Sequence, residues 1–155
     1  MIKEVITSLI CPFFGTIGYA VMFQVPKKYY VSCGLTGMLG WIVYHTANMR
    51  VSAGVSAFLG ALVVVLFSRM LTVRMKCPIT IFLVSGIFPL VPGAGIYFTA
   101  YYFVTNHFAR AAAQGMESVK IAFGIVLGIV LVVSVPRDLF SWSYWKEKRI
   151  RKKQG

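Results

Sequence analysis

The stretch Ser85–Tyr102, SGIFPLVPGAGIYFTAYY, is apolar enough to lie in a membrane yet cannot form one unbroken helix. Pro89 and Pro92 stand three apart and run directly into Gly93 and Gly95. Each proline inside a helix removes a backbone donor and collides with the preceding turn, at a cost of about 3 kcal/mol. Carbonyls freed in this way are too costly to expose to lipid, so such backbone must be buried in protein or line a wet cavity. The spacing predicts a half-helix ending near Phe88, an irregular turn over Pro89–Gly93 and a second half-helix from about Ala94. The free amides of that second half-helix, near Gly93–Ile96, suit an anion, and the carbonyls freed from the first suit a cation. A proline kink that serves helix packing alone is the competing reading.

The rest of the chain sets this stretch in a membrane. Of 155 residues, 58% are hydrophobic and only 13% charged, with a mean hydropathy of +0.76. A soluble domain usually carries about a quarter charged residues, so this chain has too little polar surface to cover itself in water. A helix needs about 20 apolar residues to span the hydrocarbon. Five runs qualify, at about residues 5–23, 30–46, 51–67, 79–104 and 119–135, and the fourth carries the break at Pro89–Gly95. The expected fold is therefore all-α and integral to the membrane, with about five transmembrane helices. The segment His107–Ser118, rich in alanine, is expected to lie outside the span as a short surface helix.

Charge placement gives the orientation. Sixteen basic residues face four acidic ones, for a net charge of +12. With five crossings and the C-terminus inside, only Lys3, Arg50, Arg110 and Lys120 fall outside, and the other twelve basic residues fall inside. That bias has the sign the positive-inside rule requires, so the N-terminus is expected outside. The tail 138–155 holds Trp142, Tyr144 and Trp145 ahead of the basic run Lys146–Lys153, a pattern suited to headgroups and anionic lipid. No folded polar domain carries a basic face, which argues against nucleic acid. The membrane implied is a plasma or inner cell membrane, crossed several times.

Chemistry is sparse. The apolar runs hold no acidic or basic residue away from their edges, and His45 and His107 sit at run ends. An active site needs a nucleophile with its base, paired carboxylates or a metal cluster, and none is legible. Cys11, Cys33 and Cys77 are widely spaced and suggest neither zinc nor a disulfide framework. The expectation is no enzyme, no cofactor and no metal. Small residues recur at Gly34, Gly37 and Gly40, followed by Trp41. That glycine face lets helices approach closely, or forms one wall of a substrate path.

The elements Val25-Pro26, Gly34, Gly37, Gly40-Trp41 and Pro89-x-x-Pro92-Gly93-x-x-x-Tyr97 together resemble the small, C-terminal-type module of threonine/serine exporters. The likeness covers about residues 5–137. It implies export of threonine, serine or a small dicarboxylate from the cytoplasm, by a secondary carrier in which a larger membrane subunit is the partner. The absence of an intramembrane acid fits a half-carrier whose partner supplies the coupling residue. The solute-binding candidates are then Pro89, Pro92, Gly93, Gly95, Tyr97, Tyr101 and Asn106. Gly34, Gly37, Gly40 and Trp41 belong to helix packing or the substrate path. A non-transporting assembly subunit is the alternative, and a homo-oligomer is the remaining possibility for assembly.

Overall fold

The computed structural model describes residues 2–134, with side chains from Leu9 onward. The expected aromatic and basic tail lies outside the described residues. Six α-helices follow in order and no strand occurs among the described residues: α1 Ile2–Met22, α2 Tyr30–Asn48, α3 Ala53–Met75, α4 Thr80–Ile87, α5 Gly93–Val104 and α6 Phe108–Val133. Short 3-10 turns at Lys27–Tyr29 and Phe88–Leu90 lead into α2 and out of α4.

The helix ends follow from local backbone chemistry. After α1, the Val25 amide donates to the Ala20 carbonyl and the Gln24 amide to Val21, both at 3.0 Å. The α5 terminus repeats this pairing, with His107 donating to Tyr102 at 2.8 Å and Asn106 to Phe103 at 3.2 Å. Such reversed pairs close a helix when the intervening residue turns left-handed. Gln24 and Asn106 do so, at φ 54° and 60°, and Lys76 ends α3 at φ 51°.

Two helices, α3 and α6, are long and apolar enough to cross a membrane, with mean hydropathies of 2.0 and 2.2 over their most apolar windows. The pair α4–α5, extended by its 3-10 turn, passes the same test as a single span bent by 47°. The described structure therefore holds two such spans, or three with the bent pair. In α1, a helix of 21 residues, Leu9–Met22 is a further apolar stretch among the residues whose side chains are described. The 19-residue α2, which carries glycines, His45 and Asn48, is not among the helices that pass this test. The alanine-rich segment after His107 is continuous with the last apolar run, because nothing between Phe108 and Val133 breaks the helix. Likewise α3 carries on past Phe67 to Met75.

Glycine contacts set the packing. A Cβ on Gly37 would collide with Thr16, and one on Gly34 would come within 2.8 Å of the Phe13 ring, which fixes α2 against α1. Gly40 meets Val64 and the Gly60 carbonyl, and Gly60 meets Leu90 and Tyr44, which locks α2, α3 and the 3-10 turn after α4. On the far side, Gly124 faces the Gly54 carbonyl and Gly128 the Phe58 carbonyl, so α6 lies backbone to backbone on α3. Ala20, Val25, Tyr29, Cys33 and Phe82 form one core cluster, and Ala57, Ala61, Val64, Leu90 and Ile125 the other. The Arg69 guanidinium, 8% exposed, donates to the Val133 carbonyl at 2.9 Å. Positive charge at the last carbonyls of a helix is favourable, so Arg69 secures the end of α6.

Candidate functional site

The break is a short, well-defined backbone feature. The 3-10 turn closes with the Val91 amide donating to Phe88 at 3.2 Å. Val91 is then extended, at φ −62° and ψ 129°, and Pro92 takes φ −77° and ψ 55°. That pair of angles is an inverse γ-turn, and the Gly93 amide donates back to the Val91 carbonyl at 2.8 Å. Ile96 donates to the Pro92 carbonyl at 3.1 Å and starts the ladder of α5. Only the amides of Ala94 and Gly95 thus remain in the first turn without a backbone partner among the described residues. The free donors are fewer than the expected Gly93–Ile96 set, because the γ-turn uses one and the helix uses another.

Beside the break lies a cleft of about 530 Å³. Phe88, Pro89, Val91, Gly93 and Ala94 form one wall, Trp41 of α2 forms another, and α1 supplies Cys11, Pro12, Gly15 and Tyr19. Tyr19 stacks on Phe88 and closes one side. Trp41 stacks on His45, with ring centroids 6.4 Å apart, at the α2 end of the cleft. The lining is mostly apolar, and its polar groups are the Tyr19 hydroxyl, the Trp41 indole N–H, the Cys11 thiol and the backbone at the break. Among the described residues no group of three or more His, Cys, Asp or Glu could hold a metal ion.

The sequence-derived site residues divide. Pro89, Gly93 and Trp41 meet in the cleft, and Pro92 is the N-cap that turns the chain into α5. Gly95 instead faces α6, where a Cβ would collide with the Ser118 hydroxyl and lie 3.7 Å from Gln114 Nε2. Tyr97 and Tyr101 stack on each other at 6.5 Å, 65% and 52% exposed, and lie outside the cleft lining. Asn106 ends α5 in the left-handed region, also away from the cleft. Gly34, Gly37 and Gly40 are all taken up by helix contacts.

The α1 contribution was missed by sequence reasoning. Cys11, Gly15 and Tyr19 recur every four residues and so share one helix face, with Pro12 beside them. That spacing was available, but nothing in α1 marks this face as opposing the break. Two glycines in the lining differ from those in the packing faces: a Cβ on Gly15 or Gly93 would meet nothing within 4 Å. Their missing side chains widen the cleft and serve no helix contact.

Long apolar helices, one of them broken beside a cleft, mark an all-helical protein suited to a membrane. The chain belongs to the threonine/serine exporter family: the family described as Threonine/Serine exporter, ThrE, matches residues 8–135. This is a family of transporters and not of enzymes. The chain has no significant match among curated proteins or among solved structures.

Proposed function

We propose that this chain is the small subunit of a secondary exporter that moves threonine, serine or a small dicarboxylate out of the cytoplasm, with a larger membrane subunit as partner. The observation that carries the reading is the cleft walled by the Phe88–Ala94 break. A helix broken beside a cavity is how many carriers expose backbone amides and carbonyls to a charged solute. The Ala94 and Gly95 amides would receive the solute carboxylate, with Pro89, Pro92 and Gly93 shaping the turn that presents them. Trp41 and Tyr19 would cover its apolar part. Tyr97, Tyr101 and Asn106 lie on the α5 side, where they serve the solute only in an arrangement that brings the partner or another conformation against α5. Five crossings of a plasma or inner membrane, with the N-terminus outside, complete the proposal.

The alternative, a non-transporting assembly subunit, draws support from α5, which has no buried residue. Efflux of labelled threonine, serine and succinate from proteoliposomes separates the two. The samples are this chain alone, the partner alone and both together. Efflux only from the combined sample supports the two-part carrier, and the solute that moves names the substrate. Efflux by the partner alone, unchanged by this chain, leaves an assembly role.

A further inference from the structure

Serine and threonine hydroxyls in apolar helices ordinarily donate to the carbonyl one turn back. Thr16, Thr36, Ser56, Ser85, Thr99 and Ser118 all do so here, at 2.6–3.1 Å. Ser68 and Thr72, on successive turns of α3, do not. Ser68 is 0% exposed, and Ser68 Oγ and Thr72 Oγ1 are both buried without a hydrogen-bond partner among the described residues.

The register of the neighbouring helices locates these oxygens. Gly60 lies against Tyr44, Gly40 against Val64, and Ser32 Oγ donates to Met75 Sδ at 3.8 Å. The same antiparallel register sets Thr36 level with Ser68, and Ser32 close to the level of Thr72. Gly86 closes the third side, since a Cβ there would lie 2.7 Å from Thr36 and 3.1 Å from Val64. Its neighbour Ser85, 1% exposed, is three residues from Phe88 of the cleft wall. Ser85 and Thr36 thus both lie beside Gly86, on the helix whose extension forms the cleft wall.

We propose that Ser68 and Thr72 form a buried water-binding station, the closed half of the solute path whose open half is the cleft. The role in a path rests on the carrier reading, whereas the binding of water does not. A buried water needs two to four polar partners. Ser68 Oγ and Thr72 Oγ1 are free to donate and accept, and Thr36 Oγ1, whose proton goes to the Ser32 carbonyl, keeps its acceptor capacity. A metal cation is the poorer occupant, because α2, α3 and α4 contain no carboxylate to offset its desolvation.

The test uses the full-length chain in lipid vesicles. If the hydroxyls bind water, Ser68→Ala and Thr72→Val each lower the thermal unfolding midpoint by a few degrees, because each removes satisfied hydrogen bonds. A midpoint that rises or stays unchanged means the oxygens are dry, and overturns the proposal. The second readout is labelling of Ser68→Cys by a small hydrophilic methanethiosulfonate, with Cys11, Cys33 and Cys77 replaced by alanine. Ala61→Cys, equally buried at 0% exposure, is the apolar control. Labelling of Ser68→Cys about tenfold faster than the control is expected from transient hydration; equal rates overturn the proposal. Neither readout requires transport, so if both are passed and the chain together with its larger partner moves no solute, the carrier reading falls and the binding of water stands.

Discussion

At the scale of single residues, the glycines fall into two classes with opposite consequences for substitution. Gly124 lies on the Gly54 carbonyl and Gly37 on the side chain of Thr16, which is itself fully buried and tied to the Pro12 carbonyl. A methyl group at either position forces packed atoms apart, and overpacking of this kind costs about 1–3 kcal/mol. We expect Gly124→Ala to be the more damaging, since backbone cannot rotate away as a side chain can. Thermal unfolding of the purified variants checks the order. Gly93 is the contrast, with open space around its missing Cβ and no left-handed φ. Gly93→Ala should leave stability within about 1 kcal/mol of the starting chain, since alanine favours the helix by up to that amount. Gly93→Val places two methyl groups in the cleft, and should abolish efflux while membrane insertion and unfolding midpoint are retained. Wild-type efflux from that variant would remove the broken helix from the mechanism.

The decisive element is the bent pair α4–α5. Its 47° bend depends on two prolines acting differently. Pro89 sits inside the 3-10 turn and denies the Ser85 carbonyl its usual donor four residues on, while Pro92 sets the γ-turn that delivers Gly93 to the start of α5. With alanine at both positions a continuous helix becomes available, and the Ala94 and Gly95 amides gain carbonyl partners. The double substitution Pro89→Ala, Pro92→Ala should therefore raise helical circular dichroism slightly and remove efflux together. Retained efflux with increased helicity would show that the bend serves packing. Pro12 in α1 works in the same region, because its face carries Gly15 and Tyr19 to the opposite wall.

For the whole molecule, burial is uneven. The first four helices interlock through glycines, and α6 lies close along α3, whereas α5 touches the bundle chiefly through Gly95 and Thr99 against α6. Tyr97, Phe98, Tyr101 and Phe103 are all exposed. Lipid accommodates the phenylalanines, but tyrosine hydroxyls prefer a polar partner. Tyr97→Ala with Tyr101→Ala should change the stability of the isolated chain by no more than about 0.5 kcal/mol, as exposed positions usually do. The same variant should lose co-purification with the larger subunit if α5 is the face that subunit covers. Unchanged co-purification would place the partner elsewhere.

Much of this was legible in the residues alone. Composition settled a membrane setting, because so few charged groups cannot cover the chain in water, and Pro89, Pro92 and Gly93 required a break, because proline has no amide proton. The family, too, was carried by motifs local in the chain, and its match confirms it. Other features depend on contacts between distant residues. The glycines at 34, 37 and 40 read first as packing and second as a path wall, and only the tertiary structure names the side chains they meet, Phe13, Thr16 and Val64. Tyr97 and Tyr101 share a helix face, but that periodicity does not say what the face meets. The α1 wall of the cleft and the unpaired hydroxyls of Ser68 and Thr72 left no local mark, since a helix's periodicity gives its faces and not their partners. Local backbone chemistry wrote the break into the sequence; the cleft beside it exists only because α1 and α2 pack against that break.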